Sequence, residues 1–384
     1  MKIYEQRFYR MIFFMASIVA VAASAQQALA DTANNFTQIN LVSDIPGLAK
    51  TTDPDLVNPW GVSFGPTSPF WVSDNGTGLV TLYNGAGNKL GLVVTVPNPG
   101  PDTAHPTGQV FNGTSAFNGD PFIFATEDGT ITGWRGALGT TAEILADKSP
   151  AGAVYKGLAI GTIGSNSYLY ATDFHNGVIN VFDHNSSQVA LVGNFQDPNL
   201  PAGYAPFNIQ NIGGKLYVTY AVQDAAKHDD VSGSGHGIVD VFDTNGNFLE
   251  RLVTGGKLNS PWGMAVAPMG FGGFGGDLLI GNFGDGIINA YDPSTGTWIA
   301  QLDGADGNPI VNLGLWDLTF GNGGSGGNTS DLYFTAGIPG DGMVEDHGLF
   351  GSIIHTPEPS SLILIGVGML TLMAAGIFLG TLHH

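Results

Sequence analysis

The 384-residue chain contains no cysteine. That excludes a disulfide framework, a thiolate metal site and a cysteine nucleophile. It is also poor in positive charge, with 12 Lys and Arg against 32 Asp and Glu and a formal net charge of −20. Nucleic acid as a partner is excluded by that balance, because a phosphate backbone needs a basic surface. The last basic residue is Lys257, so the C-terminal third is acidic or neutral throughout. Charged residues make up only 11% of the chain, yet 43% is hydrophobic, which is enough apolar material to build a core. Glycine is what the chain has in excess, 58 residues in all. Many short strands joined by tight turns would use glycine at that level; helical bundles would not.

The middle of the chain is repetitive. An alternating segment ending in an aromatic recurs at Leu79–Tyr83, Thr130–Trp134, Val178–Phe182, Ile238–Phe242 and Ile287–Tyr291, with a weaker sixth copy at Leu349–Ile353. The copies stand about 50 residues apart, the length of four strands plus loops in a propeller blade. Upstream of each lies an apolar strand: Phe70–Asp74, Phe122–Thr126, Tyr168–Thr172, Leu216–Tyr220, Asp277–Gly281 and Asp331–Thr335. Upstream again is a starting segment, clearest in Asn58-Pro-Trp-Gly-Val-Ser63 and Ser260-Pro-Trp-Gly-Met-Ala265. Asp/Asn-Gly turns such as Asp243-Thr-Asn-Gly246 follow the aromatic, and a fourth strand comes after them, as at Leu92–Val96, Gln188–Asn194 and Phe248–Val253.

The expected fold is therefore all-β, a six-bladed propeller over residues 31–355. The last repeat lacks a fourth strand, and Phe36–Ser43 is an orphan strand at the other end. An unpaired edge is a liability. The N-terminal strand is expected to complete the last blade and close the ring. The Asp/Asn-Gly turns and apolar third strands resemble NHL-type and gluconolactonase-like propellers.

Residues 1–30 read as a secretory signal peptide. Lys2, Arg7 and Arg10 precede an apolar run from Met11 to Ala23, and Ala28-Leu29-Ala30 forms an A-x-A cleavage site before Asp31. At the other end, residues 356–384 contain Pro357-Glu358-Pro359 followed by an uncharged run over 361–382, long enough for a transmembrane helix. This tail resembles the PEP-CTERM sorting signal, although the basic cluster that usually ends such tails is absent. The resemblance implies an exported bacterial propeller held in the membrane by its C-terminal helix. An exosortase-type sorting enzyme would be its partner, with extracellular polysaccharide or a surface protein as ligand. The two Pro-Trp-Gly segments together with this tail resemble a family of uncharacterised exported bacterial propellers.

Several motifs read as structural. Gly270–Gly276 and Gly321–Gly327 each precede a strand, whereas a dinucleotide-binding loop follows one. Asp243-Thr-Asn245-Gly-Asn247 opens like a calcium loop but lacks the glycine and glutamate that complete one. Trp60 and Trp262 begin strands and read as packing around the channel, with stacking on sugar rings as the sharper alternative.

Chemistry is expected where first strands begin and second strands end, on one face around the channel. First-strand starts offer Asn58, His105, Asn208 and Asp317; second-strand exits offer Asp74, Asn75, Glu127, Asp128, Asp173, His175, Asp224 and Asn282. Oxygen ligands with an occasional histidine suit Ca²⁺, Mg²⁺ or Mn²⁺. Asn58, His105, Asp173, His175, Asn208, Asn282 and Asp317 are the candidate ligands, and the gluconolactonase-like resemblance implies such a cation. His228-Asp229-Asp230 and His236 form a long insertion that could be a binding loop or a metal clip. Two functions follow: an exported binding or scaffold module with no catalytic constellation, or a metal-dependent lactonase or lyase. The bland alternative for the polar residues is turn capping.

Overall fold

The computed structural model describes residues 34–340 and 344–356. The expected signal peptide and the sorting motif with its apolar helix lie outside the described residues. Among the described residues, no helix is long and apolar enough to cross a membrane.

Six antiparallel sheets form the molecule, each with a first strand innermost. Blade 1 runs Pro59–Ser63, Phe70–Asp74, Leu79–Tyr83 and Lys89–Thr95. Blade 2 runs Pro106–Phe111, Phe122–Thr126, Thr130–Trp134 and Glu143–Asp147. Blade 3 runs Tyr155–Ile163, Asn166–Asp173, Val178–Phe182 and Gln188–Val189. Blade 4 runs Tyr204–Ile212, Lys215–Val222, Ile238–Asp243 and Phe248–Thr254. Blade 5 runs Pro261–Val266, Leu278–Asn282, Ile288–Tyr291 and Trp298–Gln301. In blade 6, Leu315–Phe320, Leu332–Ile338 and His347–His355 are completed by the N-terminal strand Phe36–Ser43. Its pairing with His347–His355 is antiparallel, with Phe36 opposite His355 and Ser43 opposite Leu349. The expected closure is thus the observed one.

Two details differ from expectation. Blade 3 has a two-residue outer strand where Gln188–Asn194 was expected. Past Val189 the chain is drawn to blade 4 instead, since the Gly193 N–H donates to Asn245 O and the Phe195 N–H to Gly246 O. Blade 6 gains a fifth strand, Thr51–Thr52, parallel to the N-terminal one.

The core lies between blades as apolar sheet faces pack on their neighbours. Phe36 is buried against Phe271 and Phe274 of blade 5, with ring centroids 4.7 Å and 5.9 Å apart. The glycine-rich segments 270–276 and 321–327 are loops between first and second strands, as their sequence position implies. Asp243 caps its own hairpin by accepting from the N–H groups of Asn245 and Asn247, each at 2.9 Å.

The six inner strands share one irregularity. Register against the second strand slips at Pro59/Val62, Pro106/Gln109, Tyr155/Gly157, Pro206/Asn208, Pro261/Met264 and Leu315/Leu318. These bulges bring Gly61, Gly108, Gly157, Asn208, Gly263 and Asp317 to equivalent places around the axis. Glycine is needed because neighbouring backbones almost touch there. A Cβ on Gly61 would stand 2.6 Å from Thr107 O, and one on Gly263 would stand 2.4 Å from Trp316 O. The other two positions reach their neighbours with side chains. Asn208 Nδ2 donates to Trp262 O at 2.8 Å, and Asp317 Oδ2 accepts from the Val62 N–H at 2.6 Å. Threonines on the second strands accept from bulge N–H groups: Thr172 from Gly157 at 2.7 Å, Thr219 from Asn208 at 3.0 Å and Thr335 from Asp317 at 3.1 Å.

Candidate functional site at the channel mouth

One residue earlier in each inner strand, the chain places Trp60, Thr107, Lys156, Phe207, Trp262 and Trp316. The aromatic members form a plug with Phe174 and Phe283. Trp60 stacks on Trp316 with centroids 3.4 Å apart, and Trp262 meets Trp60 edge-on at 6.1 Å. All three tryptophans are buried. They pack around the axis, so the packing reading of Trp60 and Trp262 holds and none of these three indoles offers a free face to a sugar.

The plug divides the channel. On the far side, where the inner strands end, is a cavity of about 180 Å³ lined by Val62, Phe111, Leu158, Asn208, Trp262 and Asp317 among others. Asp317 there accepts from the Val62 and Leu318 N–H groups. Burial nevertheless pushes its carboxyl up to about 7.

On the mouth side the network is polar and centred on Lys156. Its side chain is only 2% exposed, and its ammonium lies over the Trp60 ring at 5.1 Å. It donates to Glu127 Oε1 and, at 3.3 Å, to Asp229 Oδ1. Burial works to lower the pKa of this lysine, but Glu127 and Asp229 outweigh it and raise it. His228 Nδ1 sits 2.9 Å from the same Asp229 oxygen. The hydrogen bond with His228 and the charge of Lys156 outweigh partial burial and hold Asp229 down to about 2. The Asp229 bond raises His228 in turn.

From Glu127 the network continues around the rim. Asn75 Nδ2 donates to Glu127 Oε2 at 2.9 Å. Asn58 Nδ2 donates to Asn75 Oδ1 at 3.3 Å and to Glu345 Oε1 at 3.0 Å, while Asn58 Oδ1 accepts from Trp316 Nε1 at 3.0 Å. Burial first, and then the charge of Glu127, push Glu345 up to about 7. Asn58 sits at φ 47°, and the equivalent Ser260 also has φ 47°. Both precede proline, and asparagine tolerates the left-handed region better than most residues.

Among the described residues, none of His105, Asp173, His175 and Asp317 falls in a group of three His, Asp or Glu ligand atoms within 4.8 Å of one another. Asn208 and Asp317 lie below the mouth and serve the inner seams. His105 faces Asp128 at 3.1 Å. Asp173 binds the Val154 and Asn176 N–H groups and the Asn180 side chain, and His175 stands in the same turn. Asn282 binds the Asn259 N–H, Lys257 O and Asp285. Capping describes Asp173 and Asn282. Only Asn58 belongs to the central network.

Glu127, His228 and Asp229 instead have ligand atoms within 4.8 Å of one another. From sequence, Glu127 is expected at the mouth and His228-Asp229 in a separate insertion, and the structure joins them. Lys156 and Glu345 are not among the expected site residues. The signal for Lys156 was present, because Tyr155-Lys-Gly157 aligns with Pro59-Trp-Gly61 and so puts a lysine in the tryptophan ring.

No protein-family model matches the chain. Two proteins of Acanthamoeba polyphaga mimivirus are similar to it over most of its length. Uncharacterized protein R648 is 35% identical over 295 residues, covering 72% of this chain and 72% of its own. Uncharacterized protein L690 is 32% identical over 329 residues, covering 82% and 84%. The chain belongs to the family of R648 and L690. Both relatives are viral, whereas the resemblance of the tail to a PEP-CTERM signal implies an exported bacterial protein. Among solved structures, a glucose dehydrogenase aligns with TM-score 0.51 at 13% identity, over 82% of this chain and 98% of its own. The soluble aldose sugar dehydrogenase of Escherichia coli aligns with TM-score 0.50 at 13% identity, over 84% and 100%. At that identity the likeness is one of fold, in agreement with the six-bladed propeller of this chain.

Proposed function

We propose that this chain is an exported binding or scaffold propeller that takes a polar ligand at the channel mouth. The observation that carries the reading is Lys156, a buried ammonium held by Glu127 and Asp229 above a closed aromatic plug. A plugged channel is a concavity rather than a pore, and fixed polar groups around its floor are what an oriented polar ligand needs. Hydroxyl-rich extracellular polysaccharide fits groups of this kind, and a surface protein is the other candidate. Export through residues 1–30 and sorting through Pro357-Glu358-Pro359 by an exosortase-type enzyme belong to the same proposal.

The second reading, a metal-dependent lactonase or lyase, has one observation in its favour. Glu127, His228 and Asp229 offer two carboxylates and an imidazole at close range. The residues do not fit a divalent ion as they stand, because the Lys156 ammonium already bonds both carboxylates. Glycan arrays and pull-downs with the wild-type chain and with Asn75→Ala and Glu345→Gln variants test the first reading. Binding that weakens at least tenfold in both variants supports it. No ligand, together with measured lactone turnover, would replace it with the second.

A further inference from the structure

We infer that the Lys156 ammonium is the resident cation of the channel mouth and keeps divalent metal ions off Glu127, His228 and Asp229. The inference goes beyond the ligand reading, since it holds whether or not a sugar binds.

The three ligand atoms lie within 4.8 Å of one another, and one imidazole with two carboxylates is a set that Mn²⁺, Co²⁺ or Zn²⁺ would accept. Several of these atoms already have partners. Glu127 Oε1 accepts from Lys156 and Glu127 Oε2 from Asn75. Asp229 Oδ1 is shared between Lys156 at 3.3 Å and His228 Nδ1 at 2.9 Å. A divalent ion on these oxygens would sit within a few ångströms of a third positive charge. In a partly buried site that repulsion is poorly screened and opposes the ion.

Lys156 has no easy way out. Its stem belongs to the inner ring of blade 3, its side chain is 2% exposed, and its ammonium is covered by the rings of Trp60 at 5.1 Å and Phe174 at 6.0 Å. The ligand side is the more exposed partner, since Asp229 is 66% exposed on the blade 4 insertion. Metal binding here is thus conditional on replacing one residue. Lys156→Met keeps the length and apolar stem of the side chain and removes the charge, leaving the three ligands to an external cation.

Mn²⁺ titration followed by electron paramagnetic resonance decides the matter, using the full chain as wild type, Lys156→Met, Asp229→Asn and the double variant. Lys156→Met is expected to bind one Mn²⁺ at least tenfold more tightly than wild type, and the double variant to lose that gain. A folded Lys156→Met chain with no gain overturns the inference. Should Lys156→Met fail to fold, the Asp229→Asn variant decides alone. Mn²⁺ binding unchanged from wild type upholds the inference. Wild-type binding that weakens in Asp229→Asn overturns it, because Lys156 would then be yielding to the metal.

Discussion

The Asp317 carboxylate on the inner strand of blade 6 accepts the Val62 N–H of blade 1 at 2.6 Å. Its other oxygen accepts the Leu318 N–H at 2.8 Å. Asp317 thus helps tie the inner seam between the last blade and the first, together with Thr335, whose hydroxyl donates to Trp60 O. Asp317→Ala removes the acceptor of two backbone N–H groups, and each unmade bond costs about 1–3 kcal/mol. Urea denaturation should show a loss of at least about 2 kcal/mol, with Asp317→Asn between the two. A variant equal to wild type would mean that water replaces the carboxylate at no cost.

A second buried carboxylate makes stability depend on pH. Asp240 shares Arg251 with Asp197, and Arg251 Nε lies 3.5 Å from Asp240 Oδ1. Burial first, and then the charge of Asp197, push Asp240 up to about 7 despite the guanidinium, while the Tyr220 hydroxyl also faces it. Between pH 4 and pH 7 the folded state holds a proton that the unfolded chain has released. Stability therefore falls as pH rises through that window and levels off above it. Asp240→Asn has no proton to lose there. Its melting temperature should fall less between pH 5 and pH 7 and exceed that of wild type at pH 8. Parallel curves for the two proteins would remove Asp240 from the explanation.

The glycines of the inner ring differ from those elsewhere. A Cβ on Gly61 meets backbone oxygen at 2.6 Å, whereas nothing lies within 4 Å of a Cβ on Gly91 in an outer strand. Gly61→Ala should cost several kcal/mol or abolish folding, and Gly91→Ala should be neutral within about 1 kcal/mol. Thermal melts of both variants check the contrast. Equal melting temperatures would show that the inner seam can widen.

Blade 6 depends on its N-terminal strand. Phe36 is 1% exposed and packs on Phe271 at 4.7 Å. Phe36→Ala should cost about 3–5 kcal/mol. Deleting residues 36–43 should expose the edge of His347–His355 and yield an aggregating chain, read by light scattering and near-UV circular dichroism. A monomeric deletion variant that melts cooperatively would show that the ring needs no closure.

The architecture was legible because its signals are local and repeated. Alternation ending in an aromatic recurs five times with a weaker sixth copy, and an orphan strand at one end matches a missing strand at the other. The site was less legible because it is built across repeats. Lys156 comes from blade 3, Glu127 from blade 2, Asp229 from a blade 4 insertion and Glu345 from the approach to the last strand. No spacing in the chain links these four. The expected polar residues were found near strand ends, but several of them are consumed by turns, since a carboxylate next to free N–H groups caps them before it reaches the axis.

The pairing of Phe36 with His355 has a consequence for how the molecule is presented. The Thr356 N–H donates to Asn35 O at 3.0 Å, and the Phe36 N–H donates to Asp303 O of blade 5 at 3.0 Å. Both ends of the folded ring therefore leave from one spot on its outer rim, like the two ends of a hoop at its clasp. A tether joined upstream of Asn34 and another joined downstream of Thr356 would start side by side, well off the axis. Either could hold the protein to a larger body while the opening above Lys156 stayed clear.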